Sequence, residues 1–313
     1  MTDPVARFAA DLNSIAPGGQ LALGVSGGPD SLALLLLASA ARPGRVVAAT
    51  VDHGLRPESA DEAAMVAGVC RRLSVPHSIL RVTVRESGEG LQAAARAARY
   101  AALTEWARDE GAGWLATAHH LDDQAETVLM RLARGAGLNG MAGIRPSRRL
   151  GRSLHLVRPL LGWRKQELVA LVTDAGLTPV DDPSNADPRF DRTRARALLA
   201  SGWPAADRVA AVATRLAEAE AALDWQAARL AHDRVDVSSS GGRIDPADLP
   251  REFRRRLLVG ALARMAPHAE LRGDEVDRLL HRLDTGETAT LAGVKVAAGR
   301  VWRLSIAPPR RSG

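Results

Sequence analysis

Residues 21–41 read LALGVSGGPDSLALLLLASAA, and the architecture of the N-terminal part follows from that stretch. LALGV is a short apolar run of strand length, and LALLLLASAA has the composition of a buried helix. Between them lies Ser26-Gly27-Gly28-Pro29-Asp30-Ser31. Paired glycines let backbone approach an anion closely, and the helix that follows points free N–H groups at it. Ser26 and Ser31 add hydroxyl donors. Asp30 is out of place in a pure anion cradle, because it repels phosphate unless it orients the loop or meets a magnesium ion. The loop is neither G-x-x-x-x-G-K-[ST] nor G-x-G-x-x-G, which excludes the common NTPase and dinucleotide readings. A plain Gly-Pro turn is the alternative.

Working outward, strand and helix patterns alternate. VVAATV (residues 46–51) ends in Asp52-His53-Gly54, and Ser59 with Glu62 stands at capping-box spacing before a helix to about residue 73. SILRVTV (78–84), WLATA (114–118) and LHLVRPLL (154–161) read as strands, with helices over 91–107, 121–133 and 164–175. This order predicts an α/β fold, a doubly wound parallel sheet whose ligands bind beyond the carboxyl ends of the strands. After Leu199 the pattern changes to an Ala-rich helix over 205–235, a linker or turn at SSSGG (238–242), and helices over 251–265 and 274–283. The chain then ends in strands such as VWRLSI. Two domains are expected: residues 1–200 for catalysis, and a smaller, mainly helical domain, 201–313, in contact with RNA.

The formal net charge of the 313 residues is +6, which permits a polyanionic partner. Only Lys165 and Lys295 are lysines, so the basic charge is almost all arginine, a compositional bias compatible with RNA binding. The lone Cys70 excludes intramolecular disulfides and a cysteine cluster within one chain, and with Val66 and Leu73 it falls on one packed helical face. The N-terminus has no apolar signal core, and the longest apolar run, 32–41, is far below the ~20 residues that cross a bilayer. A cytoplasmic protein with no membrane partner is expected.

SGGPDS matches the SGGxDS loop of the PP-loop ATPases, and four further stretches resemble one branch of them, the tRNA(Ile)-lysidine synthetases. These are VDHGLRPES (51–59), ARAARY (95–100), ATAHHLDDQAETVLMRLARGAGLNGMAGI (116–144) and VDDPSNADPRFDRTRAR (180–196). The likeness is strong over residues 21–196 and looser beyond. Where that family usually has R-N-R-I-R, this chain has Arg192-Thr193-Arg194-Ala195-Arg196, so the asparagine is lost and Thr193 stands in its place. The resemblance implies ATP and Mg2+ as cofactors, and tRNA(Ile) with a CAU anticodon and free L-lysine as partners. The implied reaction adenylates the C2 carbonyl of the wobble cytidine; the lysine ε-amine then displaces AMP. The oligomeric state, a homodimer among the options, is open.

The resemblance assigns Ser26, Gly27, Gly28, Pro29, Asp30 and Ser31 to the nucleotide; His53, at a strand end, contacts the nucleotide too or is an ordinary loop histidine. Lysine's amine, with a reference pKa of about 10.4, must lose a proton to attack, and a carboxylate is suited to hold and deprotonate it. Asp122, Asp123 and Glu126 supply such groups beside His119, with Asp30 and Asp123 as metal candidates. Residues 122–126 equally read as an acidic first turn favoured by the helix dipole. Arg56, Arg192, Arg194 and Arg196 are candidates for tRNA contact, against solvated charge and an Asx-Pro turn. Arg96 and Arg99 serve the site or merely solvate an Ala/Arg helix. Arg251, Arg254, Arg255 and Arg256 crowd two helical turns and call for an anionic partner, or form a solvated face. The rivals are a tRNA thiolase, which calls for cysteines this chain lacks, and a non-catalytic RNA-binding protein, against which the intact SGGPDS argues.

Overall fold

The computed structural model describes residues 3–54, 59–83, 91–180 and 191–307. In chain order the elements are α1 (Pro4–Ile15), β1 (Leu21–Gly24), α2 (Pro29–Ala41), β2 (Val46–Asp52), α3 (Ser59–Arg72), β3 (His77–Arg81), α4 (Leu91–Asp109), β4 (Trp114–Ala116) and α5 (Leu121–Ala133). They continue with α6 (Leu138–Met141), β5 (Ser147–Arg149), β6 (His155–Val157), α7 (Lys165–Asp174), α8 (Asp191–Ala200), α9 (Ala206–Arg234), β7 (Val235–Val237) and β8 (Gly241–Ile244). Last come α10 (Arg251–Met265), α11 (Gly273–Asp284), β9 (Ala289–Leu291), β10 (Val294–Ala297) and β11 (Trp302–Ile306). Two compact units result, dividing at Thr214 within α9.

The first unit is built on a six-stranded sheet in the order β3-β2-β1-β4-β6-β5, parallel except for β5. The chain moves from β1 out to β3, then returns to lay β4 against the other side of β1, with Leu21 opposite both Val46 and Trp114. That reversal makes the β1/β4 boundary the switch point where open α/β sheets bind ligands. Leu32, Leu34, Leu35 and Leu37 of α2 are all buried, as expected of a helix that is apolar around most of its circumference. The core around α2 also holds Phe8 and Leu12 of α1 and Leu168 and Val172 of α7, and Leu34→Ala there would cost ~2–5 kcal/mol. Cys70 is fully buried in the same core, and burial pushes its thiol up to about 11.

Among the elements that were not anticipated are α1, β5 and α8. Helix α1 is signalled by Asp3, whose side chain caps Val5 N at 3.0 Å, and by Pro4 in the first turn. The edge strand β5 is three polar residues without alternation, and α8 buries only Ala195, so neither has an apolar period to read.

The second unit carries a five-stranded antiparallel sheet, β7-β8-β11-β10-β9. Leu258 and Leu262 of α10 and Leu280 of α11 pack against Val296 and Trp302 in its core. It is therefore less exclusively helical than expected, and of SSSGG only the serines form the turn after β7, while Gly241 and Gly242 open β8. The four arginines in the first two turns of α10 find their anions at home. Arg251 meets Asp277 at 3.3 Å, Arg254 meets Asp284, and Arg255 meets Glu252 at 3.0 Å. Arg256, nearly buried, contacts Glu220 at 2.6 Å, Glu252 at 2.8 Å and Asp224. Burial disfavours its charge, but the three carboxylates outweigh that and raise its pKa. The crowded charge that called for an outside anion is balanced within the unit.

Candidate functional site

The loop after β1 is shaped by its own serines. Ser31 Oγ accepts from Ser26 N at 3.1 Å and donates to Gly28 O at 2.9 Å, and the two hydroxyls lie 3.3 Å apart. Gly27 sits at φ +85°, a backbone conformation that favours glycine, and a Cβ there would lie close against the side chains of Met65, Val66 and Val180. Gly28 caps α2 without a side-chain bond, and Pro29 has no N–H, which leaves the first-turn amides of Asp30 and Ser31 without intrahelical acceptors. Free amides at a helix N-terminus of this kind can cradle an anion.

Across the switch point, β4 runs out through Thr117 and His119 into α5. His120 is its N-cap: Nδ1 accepts from Asp123 N at 3.4 Å, while Asp123 Oδ2 accepts from His120 N at 3.1 Å. The buried His120 ring also puts Nε2 3.5 Å from both Asp30 Oδ2 and Asp123 Oδ2, joining the anion cradle to the acidic helix. Burial alone would depress the His120 imidazolium, but hydrogen bonding to Asp30 and the charges of Asp123, Asp30 and Asp122 raise its pKa. Its neighbour goes the other way. His119, bonded to Thr117 Oγ1 at 3.0 Å, is pushed down to about 3 by burial and then by the charges of Arg158, Arg96, Arg192 and Arg99.

The three carboxylates of α5 have different partners. Asp122 Oδ2 accepts from Lys165 N at 2.8 Å and Oδ1 lies 3.2 Å from Arg164, so this side chain ties α5 to the start of α7. Asp123 pairs with Arg192, and the buried Glu126 accepts from Arg192 Nε at 2.5 Å and Arg196 Nε at 2.7 Å. Arg192 and Arg196, one helical turn apart on α8, thus face the acids, while Arg194 lies on the exposed side. The arginines read as one group are divided. Arg56 and the residues 181–190 that hold the DPSN segment lie outside the described residues.

His53 follows β2, and its buried Nδ1 has no hydrogen-bond partner; burial first, then Arg99, lowers its pKa. Asp30 Oδ1 is likewise buried and unpartnered. Both oxygens of Asp123 are engaged, by Arg192 and by His120. No group of three or more metal-ligating side chains occurs among the described residues. Magnesium bound with nucleotide phosphates takes only one or two carboxylates, so the free oxygen of Asp30 fits it. Sequence reasoning gave His120 no role of its own, although its spacing to Asp123 is that of a capping box. It also passed over Arg158, a charge at the end of the apolar run LHLV.

Comparison with known proteins bears on the whole chain. A model described as a PP-loop domain matches residues 2–201. A tRNA(Ile)-lysidine synthase of Novosphingobium aromaticivorans is 48% identical, the match covering 100% of this chain and 96% of the relative. One from Zymomonas mobilis is 46% identical over 94% of this chain and 90% of its own. Among solved structures, the U34-tRNA thiolase NcsA from Methanococcus maripaludis, described with its [4Fe-4S] cluster, superposes with a TM-score of 0.57 at 18% identity, over 69% of this chain and 79% of its own, a likeness of fold. The chain belongs to the tRNA(Ile)-lysidine synthase family of PP-loop proteins.

Proposed function

We propose that this ATP-dependent, tRNA-modifying ligase converts the wobble cytidine of tRNA(Ile) with a CAU anticodon to lysidine, using free L-lysine. The single observation that carries the site assignment is the His120 ring bridging Asp30 and Asp123, which puts phosphate chemistry and carboxylate chemistry side by side.

In this reading the first-turn amides of α2 and the Ser26 hydroxyl hold the ATP phosphates, with His53 beside the nucleotide. The cytidine C2 carbonyl oxygen attacks the α-phosphorus, forming a C–O–P link as the bond to pyrophosphate breaks. Binding the departing pyrophosphate at a helix N-terminus stabilises the charge that develops on it. Magnesium, when bound, would be held by Asp30 and would neutralise phosphate charge. Lysine's amine then attacks C2, the C–O bond to AMP breaks, and the amine proton passes to a carboxylate.

Asp123 and Glu126 suit that last step because they already bind cationic groups. An ammonium held there also feels Arg192, and a neighbouring positive charge lowers an amine's pKa, favouring the nucleophilic form. Asp122 acts as a positioning residue through its bond to Lys165 N. Arg194, exposed on α8, and Arg56 are left to contact the tRNA.

A thiolase reading fails on Cys70, the sole cysteine and fully buried. Incorporation of labelled lysine into tRNA(Ile) tests the proposal: it should require ATP and the wild-type loop. ATP-dependent AMP release with no lysine attached would overturn it.

A further inference from the structure

The C-terminal ends of β4 and β6 and the first half of α4 together gather positive charge that the α5 carboxylates do not use. Arg96 and Arg99 of α4 stack on Tyr100, their guanidinium carbons 5.1 and 5.6 Å from the ring centre, and Arg96 Nη2 lies 3.5 Å from the Tyr100 hydroxyl. Arg158, directly after β6, is only 9% exposed. One of its nitrogens donates to Arg145 O at 2.6 Å, and its side chain also reaches Tyr100, but its buried Nε has no partner. None of the three forms an ion pair with a carboxylate among the described residues. A buried guanidinium without a counter-ion is costly, and the cost falls when an anion is bound. The cluster is next to the reacting centre, since Arg96, Arg99, Arg158 and Arg192 all act on His119, which follows β4, and Arg99 acts on His53, which follows β2.

We propose that Arg96, Arg99 and Arg158, braced by Tyr100, form a phosphate subsite that grips a phosphodiester of the RNA strand beside the nucleotide being modified. The proposal rests on the reading that RNA is the substrate. Two observations favour the RNA chain over ATP. The α2 N-terminus already offers the ATP phosphates a cradle, and Arg96 and Arg99 belong to α4, whose Leu103 and Trp106 pack in a different core cluster from α2. Guanidinium forks match phosphate oxygens bidentately, and the Tyr100 ring keeps two of them ordered before the anion arrives. The subsite sets where the strand lies and thereby which base reaches the adenylation centre.

The test compares Arg96→Gln/Arg99→Gln and, separately, Arg158→Gln with wild type. Gel shift with an unmodified tRNA(Ile) transcript across a salt series gives RNA affinity. Steady-state pyrophosphate release gives KM for tRNA and for ATP. Each variant should weaken tRNA binding about tenfold and lower the log–log salt slope by roughly 0.7 for each phosphate no longer held, with KM for ATP unchanged. If Arg158→Gln fails to fold, the Arg96/Arg99 pair, on partly exposed positions, still decides. A rise in KM for ATP with tRNA affinity unchanged would assign the cluster to the triphosphate and overturn the proposal. Unchanged values for both would make the cluster a solvated face and overturn it equally. Should wild type form no lysidine, the functional reading falls, while tRNA affinity and its salt slope still decide the subsite.

Discussion

The arginines of α10 and those gathered around Tyr100 carry the same charge in opposite surroundings. On the first two turns of α10 Arg251, Arg254, Arg255 and Arg256 each meet a carboxylate of their own unit, and the most buried, Arg256, meets three. Around Tyr100 the arginines meet an aromatic ring, a carbonyl oxygen and one another. In an arginine-rich chain the count of basic residues says little about RNA. What discriminates is whether the fold supplies the counter-ion.

That contrast predicts different losses. The largest concerns the centre itself: Asp30→Ala should lower lysidine formation by ~100-fold or more while thermal unfolding shifts little, because its free oxygen and its contact with His120 serve chemistry. Activity within a few-fold of wild type would remove Asp30 from the mechanism. Next, Arg256→Ala should cost ~3 kcal/mol in denaturant unfolding, since it leaves the buried Glu220 uncompensated, yet keep tRNA affinity per folded molecule. A loss of tRNA binding without loss of stability would erase the distinction between the two clusters. Arg251→Ala, at a half-exposed pair, should stay within ~0.5 kcal/mol in the same assay.

A smaller effect separates the two adjacent histidines. His120 has a raised folded-state pKa, so its cation stabilises the fold fully below the unfolded value near 6.5 and that support is lost as pH rises through the folded pKa. His119 sits at about 3, so its neutral ring must charge on unfolding in acid, and stability falls as pH drops below about 6.5. Without ATP or magnesium, His120→Asn should flatten the alkaline side of a plot of unfolding free energy against pH, and His119→Gln the acid side. Parallel curves for all three chains would contradict both assignments.

The doubly wound sheet was legible because strand and helix periods alternate around SGGPDS, and the resemblance carried the family. What could not be read was the pairing of charge. The sequence around α8 has no apolar stripe, so nothing in it marks Arg192 and Arg196 as turned toward Glu126 while Arg194 turns away. Asp122, Asp123 and Glu126 read as one acidic group, but their roles separate only when α7 brings Lys165 N to Asp122. Apart from the local Glu252, the acids that neutralise α10 come from α9 and α11, up to 36 residues away, beyond any local pattern.

The central claim is that adenylation and lysine attack share one centre. Its most direct test uses the purified chain with ATP, labelled lysine and two tRNA(Ile) transcripts, one with cytidine and one with uridine at the wobble position. AMP, pyrophosphate and attached lysine should appear in equal amounts on the cytidine transcript and be absent on the other. Equal AMP from both transcripts, or AMP from the cytidine transcript without attached lysine, would contradict it.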